Sequence, residues 1–391
     1  MRRNVNPFTT CTSGNSVRTV PITRAGCRIV LLLLAVSCAT AVNVAEWRGD
    51  IVDPTGGQFS SMKFDLYGNA HVSYLDGSEN QLRYAFWDHS LKKWFTTTVD
   101  ASAGFCSLAL DSHQRPHISY HAYGGGLRYA HWDGAAWQKQ KISIATREVG
   151  FYTSIALDQK DHPSISFYET ISADGSLVVR LRSITWNGEF WELTTVDSVR
   201  GSGKFNSIAV DSKGHRHIAY GNVNYENASL RYGYWNGESW KTEIVEGAGQ
   251  PGSACWSVSM VVDKGDNPHV TYTDVPNLLV KYATKKDGHW KIEAVDSLAR
   301  LGYPDRNGVV LDDQGNPYIS YYDAGAGLLK VAHRQGQKWV FEVVDRGFAG
   351  LQSSLQIDHG AIWVTFADET GGALKFAHRP LEAAGAPSKE K

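Results

Sequence analysis

The sequence predicts an all-β fold, a seven-bladed β-propeller of four-stranded antiparallel blades. Three observations predict it. A pattern close to S-x-A-x-D-x-x-G-x-P-H-I-S-Y recurs seven times, with its Asp at Asp65, Asp111, Asp158, Asp211, Asp263, Asp312 and Asp358. These positions are spaced by 46 to 53 residues, a period that reads as a propeller or a solenoid. Later in the repeat comes a Trp followed five residues on by an aliphatic residue and usually Asp, as in Trp94, Val99 and Asp100. Repeat seven ends at Arg379 without this element, and the spare copy, Trp47, Val52 and Asp53, stands before repeat one. A chain that begins with the outer strand of its last blade can close a ring on itself.

Repeat two shows how each blade is written. Residues 107–111 alternate small and apolar side chains and read as a strand. Residues 112–116 form a turn, and residues 117–120 a second strand. The glycines at 124–126 favour positive φ and make a second turn. Residues 127–132 are a third strand, Asp133-Gly134 a hairpin-type turn, and residues 137–142 the fourth strand. No stretch sustains a 3.6-residue period, so almost no helix is expected.

Residues 1–41 read as a signal peptide. Arg24 and Arg28 precede an apolar run at 29–36, and Ala39-Thr40-Ala41 is a small-x-small cleavage site. The run is too short for a transmembrane anchor in the mature chain. The alternative is a lipoprotein anchored through Cys38. The propeller then occupies 42–379, and 380–391 is a small, polar, disordered tail. Secretion, extracellular or periplasmic, is the expected localisation.

The whole chain carries 39 basic and 40 acidic groups, and the leader holds Arg2, Arg3, Arg18, Arg24 and Arg28 with no acid. The mature part is therefore mildly acidic, which argues against nucleic acid and against docking to anionic membranes. Past the leader only Cys106 and Cys255 remain, in non-adjacent repeats, so no disulfide is expected. No cofactor and no metal are expected. His71, His117, His217 and His269 recur once per blade, and ligands spread round a ring cannot converge on one ion. Trp47, Trp94, Trp137, Trp191, Trp240, Trp290 and Trp339 likewise have a per-blade packing role. Arg83, Arg128, Arg182, Arg231, Lys281, Lys330 and Lys375 read as edge or inter-blade ion pairs.

The turn between strands three and four stands as Trp132-Asp133-Gly134-Ala135-Ala136-Trp137, with counterparts at 186–191 and 235–240. It resembles the Asp-box turn of sialidase-like (BNR-repeat) propellers, at the level of repeats across 42–379. Secreted propellers with short repeats also look like fucose-binding lectins and some polysaccharide lyases. The resemblance implies carbohydrate more than it implies catalysis.

Departures from the repeat mark the expected site. The loops before the Ser-x-Ala-x-Asp strand and after Ile-Ser-Tyr share one face at the channel mouth. The first of these is 8 residues into blade two (Val99 to Ser107), 14 into blade five (Val245 to Ser259) and 13 into blade six (Val295 to Gly308). The candidate ligand-binding residues there are Tyr123, Tyr168, Arg180, Asn222, Trp256, Asp274, Asp305 and Asp323. Aromatic rings stack on sugar faces, and Asn, Asp and Arg pair with vicinal hydroxyls. Cys106, Tyr152, Asn206, Tyr225 and Asn307 share the face, with Asp76 and Asp368 completing the ring.

Three functions compete. The first is a carbohydrate-binding, lectin- or adhesion-like propeller, a monomer whose partner is an extracellular polysaccharide or glycan. The second is a polysaccharide-degrading enzyme on the same face. A lyase would use His121, with Tyr123 or Tyr322, and Arg306 as a bidentate clamp on a uronic carboxylate. A glycoside hydrolase would use Glu169 with Asp274 or Asp323, on different blades, as the paired carboxylate. The third is an extracellular protein-interaction scaffold, with protein as partner.

Overall fold

Residues 46–381 of this computed structural model are described, except 78, 143–147, 174–175, 225–227, 248–254, 303–305, 348 and 369–371. The leader and nearly all of the tail lie outside them. The described residues form seven sheets of four antiparallel strands and contain no helix. In six sheets the strands are consecutive, as in blade one: Gly56–Phe64, Ala70–Asp76, Gln81–Asp88 and Lys93–Asp100. In the seventh, Arg48–Asp53 pairs with Leu374–Pro380 outside Ala361–Asp368 and Ala349–Asp358. The N-terminal strand thus closes the ring, as the displaced Trp-Val-Asp copy predicts.

The core lies between blades. Leu108, Ile118, Tyr120 and Ala130 of blade two pack with Leu75, Leu82 and Val99 of blade one. Second strands such as Pro116–Ala122 and Pro268–Asp274 are buried throughout, because a blade covers each face. Trp137, Trp191, Trp290 and Trp339 of the fourth strands pack edge-on against a Tyr of the preceding blade. Trp137 meets Tyr84 at 5.2 Å between ring centroids, Trp191 meets Tyr129 at 5.5 Å, and Trp290 meets Tyr232 at 5.2 Å.

The repeated polar residues follow the same logic. The motif Asp caps its own turn: Asp65 Oδ1 accepts the amides of Tyr67 at 2.9 Å and Asn69 at 2.8 Å. In blades one, two, four and five its other oxygen faces a His, whose second nitrogen meets a third-strand Tyr. Blade four is representative, with Asp211 Oδ2 3.3 Å from His217 Nε2 and Tyr232 Oη 2.6 Å from His217 Nδ1. Burial lowers the affinity of His71, His117, His217 and His269 for a proton, to a pKa of about 4 at His117. A neutral ring with Nε2–H toward Asp and Nδ1 accepting from Tyr satisfies all three groups. Where the His is missing, in blades three, six and seven, the Tyr is missing too, as Ser183, Val331 and Phe376.

Fourth-strand carboxylates clamp the next blade. Asp100 accepts from Tyr120 Oη at 2.6 Å and from Arg128 at 2.9 Å. Asp197 does the same with Tyr220 at 2.7 Å and Arg231 at 2.8 Å. Arg83, Arg128, Arg231, Lys281 and Lys330 are therefore inter-blade ion pairs, while Arg182 faces Glu169 and Lys375 faces Asp368 of their own blades. Nearer the channel, Thr153 Oγ1 donates to Ser119 Oγ at 2.9 Å, Ser166 Oγ to Asn206 Oδ1 at 2.5 Å, and Ser320 meets Ser353 at 2.8 Å. Between blades four and five both partners become apolar together, Ala219 and Val258. Cys106 and Cys255 are both free and buried.

Candidate ligand site at the channel mouth

The innermost strands carry a repeated kink six residues before the motif Asp. Phe59, Phe105, Tyr152, Phe205, Ser257 and Gln352 all have left-handed φ there, between 36° and 57°. The strand register slips at the same place in blades one, two, three, four, five and seven. This is a β-bulge, and its effect is to re-aim one side chain per blade. Left-handed backbone at a bulky residue costs on the order of 1–3 kcal/mol, and it persists only where the surroundings enforce it.

The re-aimed side chains line the channel. Phe59 and Phe105 lie 4.4 Å apart between centroids, Phe105 and Tyr152 4.6 Å, Tyr152 and Phe205 4.8 Å. Trp256 extends this arc at 6.0 Å from Phe205. Across blades five to seven the same position holds Ser257, Arg306 and Gln352. The space between the two sides, narrow and open to solvent, is lined by Phe59, Phe105, Tyr152 and Phe205 together with Cys106, Thr153, Asn206, Ser257, Val258 and Arg306. Asn206 fixes one kink, donating to the carbonyls of Tyr152 at 2.8 Å and Gly203 at 2.9 Å. Burial pushes the Cys106 thiol up to about 11, so it is an inert wall rather than a nucleophile.

Behind the arc, His121 stacks on Phe151 at 4.2 Å and meets Tyr123 edge-on at 5.5 Å. Phe151 in turn meets Phe105. His121 is 5% exposed, and its Nδ1 has no hydrogen-bond partner. Burial alone lowers its pKa to about 4, so at neutral pH the ring is uncharged. Gly104 makes room for the pair: a Cβ there would lie 3.1 Å from Tyr123 Oη and 3.3 Å from His121 Nδ1.

The other candidates fall in three groups. Arg306 and Trp256 belong to the channel wall or its rim. Tyr168 stands beside Tyr152 at 6.2 Å, under the Lys204 ammonium. Glu169, Asn222, Asp274 and Asp323 are buried and engaged within the fold. Glu169 accepts from Arg180 at 2.6 Å and faces Arg182 at 3.5 Å. Asp274 pairs with Lys281 at 2.7 Å, and Asp323 with Lys330 at 3.3 Å. Asn222 Oδ1 accepts the Asn224 amide at 2.9 Å. Tyr322 is buried beside Gly350 of the next blade. Asp305 and Tyr225 lie outside the described residues.

The loop comparison did not single out Phe59, Phe105 and Phe205. The available clue was the column six residues before each Asp, which reads Phe, Phe, Tyr, Phe, Ser, Arg, Gln.

No family model and no curated protein matches the chain. Several solved structures are similar in fold. The BP39L lectin from Burkholderia pseudomallei aligns with a TM-score of 0.63 at 11% identity, over 83% of this chain and 96% of that one. A virginiamycin B lyase from Staphylococcus aureus aligns with a TM-score of 0.57 at 10% identity, over 86% and 100%. The polysaccharide lyase Uly1 aligns with a TM-score of 0.52 at 12% identity, over 86% and 92%. At these identities the likeness is one of fold, and it places the chain among the β-propellers without naming its chemistry.

Proposed function

We propose that the chain is an exported carbohydrate-binding propeller that takes a sugar against the aromatic arc at the channel mouth. The observation that carries the reading is the continuous wall formed by Phe59, Phe105, Tyr152, Phe205 and Trp256, facing Ser257 and Arg306 across an open cavity. Apolar sugar faces stack on such rings, while polar groups on the far side meet hydroxyls. The kink does not require aromatic residues, since Ser257 and Gln352 adopt it too. The leader at 1–41 and the Asp-box-like turns agree with this reading. In those turns Asp133 accepts the amides of Ala135 and Ala136, and Asn187 those of Glu189 and Phe190. A lectin and a polysaccharide lyase among the similar folds point the same way, and the virginiamycin B lyase shows that the fold also serves other chemistry.

A second reading, a polysaccharide lyase, rests on His121 and Tyr123. In β-elimination the base takes the sugar C5 proton, the electron pair forms the C4–C5 double bond, and the acid protonates the departing O4. An uncharged imidazole with an unsatisfied nitrogen beside a phenol has the right groups. A pKa of about 4, however, is well below the value near operating pH that suits a base. Binding is therefore placed ahead of turnover.

The test is to titrate the full chain with a panel of soluble neutral and acidic oligosaccharides, following heat and the ultraviolet absorbance of unsaturated uronates together. Saturable heat without absorbance supports the binding reading. Growth of the absorbance, lost in His121→Ala, replaces it with the lyase. Silence in both channels leaves a protein-interaction scaffold.

A further inference from the structure

This fold pairs its buried cations. Arg83, Arg128, Arg231, Lys281, Lys330 and Arg379 each face a carboxylate within hydrogen-bonding distance. Two half-buried cations, Lys63 on an innermost strand and Arg306 just before one, break the pattern. Arg306 lines the channel cavity with Phe59 and Cys106. Lys63 lies four residues along the strand from Phe59. Among the described residues neither side chain has a hydrogen bond or an ion pair, and the charges are close enough to repel each other. Burial and this repulsion lower the pKa of Lys63, and burial lowers that of Arg306. The Cys106 thiol near Arg306 is protonated at neutral pH and offers no compensating charge. Two neighbouring half-buried cations with no carboxylate beside them attract an anion that enters the channel.

Resting on the carbohydrate reading, we propose that the channel is an oxyanion site for an acidic sugar, in which Arg306 and Lys63 hold a uronate carboxylate while the aromatic arc stacks the ring. The planar guanidinium matches a carboxylate in two parallel hydrogen bonds, and the ammonium supplies a second point charge. The position explains why blade six carries Arg where blades one to four carry rings: a ligand seated on the arc presents its opposite edge to Arg306. The aromatic wall lowers the local dielectric, which strengthens the attraction for an anion that enters.

The experiment is calorimetry on the full chain with a uronate oligosaccharide, the same oligosaccharide after carboxyl reduction, and a sulfated neutral oligosaccharide. The uronate is expected to bind about tenfold or more tighter than its reduced form, a preference that shrinks as salt is raised. Arg306→Gln and Lys63→Met are each expected to remove about tenfold of uronate affinity and to weaken the reduced sugar by much less, so that the preference for the uronate collapses. Arg306→Lys, which keeps the charge and loses the fork, falls between. A second readout covers the case of altered folding. Without ligand, Arg306→Gln and Lys63→Met are expected to raise the urea midpoint, because each removes one of two charges that repel each other.

Equal binding of the uronate and its reduced form overturns the oxyanion site while leaving the carbohydrate reading standing. Tighter binding of the sulfated sugar than of the uronate overturns the carboxylate assignment. Failure of all three to bind overturns both readings. Midpoints lowered by both charge-removing substitutions also contradict the account, because they would mean the cations already have partners.

Discussion

Blades one to four and blades five to seven place different chemistry at one and the same repeat position, six residues before the motif Asp. Phe59, Phe105, Tyr152 and Phe205 make an arc of touching rings, while Ser257 and Arg306 line the same cavity and Gln352 is buried against the Phe59 amide. Wherever the kink is measured as left-handed, φ stays within the same narrow range whether the residue is Phe, Tyr, Ser or Gln. The backbone geometry is thus a demand of the ring, and the side chain is free to differ. The contrast with the inter-blade contacts is instructive. There a change on one blade is matched by a change on its neighbour, as with Ala219 and Val258 or with the His–Tyr pairs. At the kink no such matching is needed, and the differences serve the channel.

The largest expected effect tests the aromatic side from behind. His121 is buried with an unsatisfied nitrogen, and its folded pKa of about 4 lies below the ordinary value of 6.5. The unfolded chain therefore binds its proton first as pH falls. The stability present above pH 6.5 is lost progressively between 6.5 and about 4, and the loss flattens below that. The contribution is roughly 3 kcal/mol. Urea titrations across this window should show the slope, and His121→Leu should remove its share and be more stable at pH 5. An unchanged slope would mean that the imidazole is hydrated.

Next, Phe105→Ala removes the centre of the arc. It should weaken sugar binding by about 2 kcal/mol, roughly thirtyfold, and leave strand content unchanged by circular dichroism. The same substitution made as Gln352→Ala on the polar side should affect stability rather than affinity. Gln352 is 2% exposed, and its Oε1 accepts the Phe59 amide at 2.5 Å.

The inter-blade girdle supplies a control. Val258→Asn should cost about 2 kcal/mol, because its partner Ala219 offers no hydrogen bond. Adding Ala219→Ser recreates the Ser166–Asn206 pair of blades three and four and should recover about half of the loss. Independent effects in this double-mutant cycle would break the claim that these contacts are matched.

The smallest effect concerns the clamps. Tyr120→Phe should cost about 1 kcal/mol, since Arg128 and Lys139 still hold Asp100. Blade seven carries Phe366 at that position, and burial raises the pKa of the facing Asp345. Phe366→Tyr should lower that pKa, a shift readable by carboxyl NMR.

The architecture was legible because the period, the alternating strands and the displaced Trp47 copy are all local patterns. Residue roles tied to the period were legible as well: the Trp packing, the Arg and Lys ion pairs, and the buried His. The site was less so. Counting loop residues singled out Arg306, Trp256, Tyr152 and Asn206 as candidates, but it could not see the bulge that turns Phe59, Phe105 and Phe205 into the channel. Nor could it see that Glu169, Asp274 and Asp323 are engaged by third-strand cations, because that depends on reach across a sheet. Lys63 escaped notice because its neighbours in the column are small or apolar, such as Ala109 and Ala156.

The account stands most directly on whether the arc binds sugar. Calorimetric titration of the full chain and of Phe105→Ala with the same oligosaccharide decides it, with thermal melts run alongside. The account predicts saturable binding to the parent chain and about thirtyfold weaker binding to the variant at a similar melting point. Equal affinities would contradict it and move the site away from the channel.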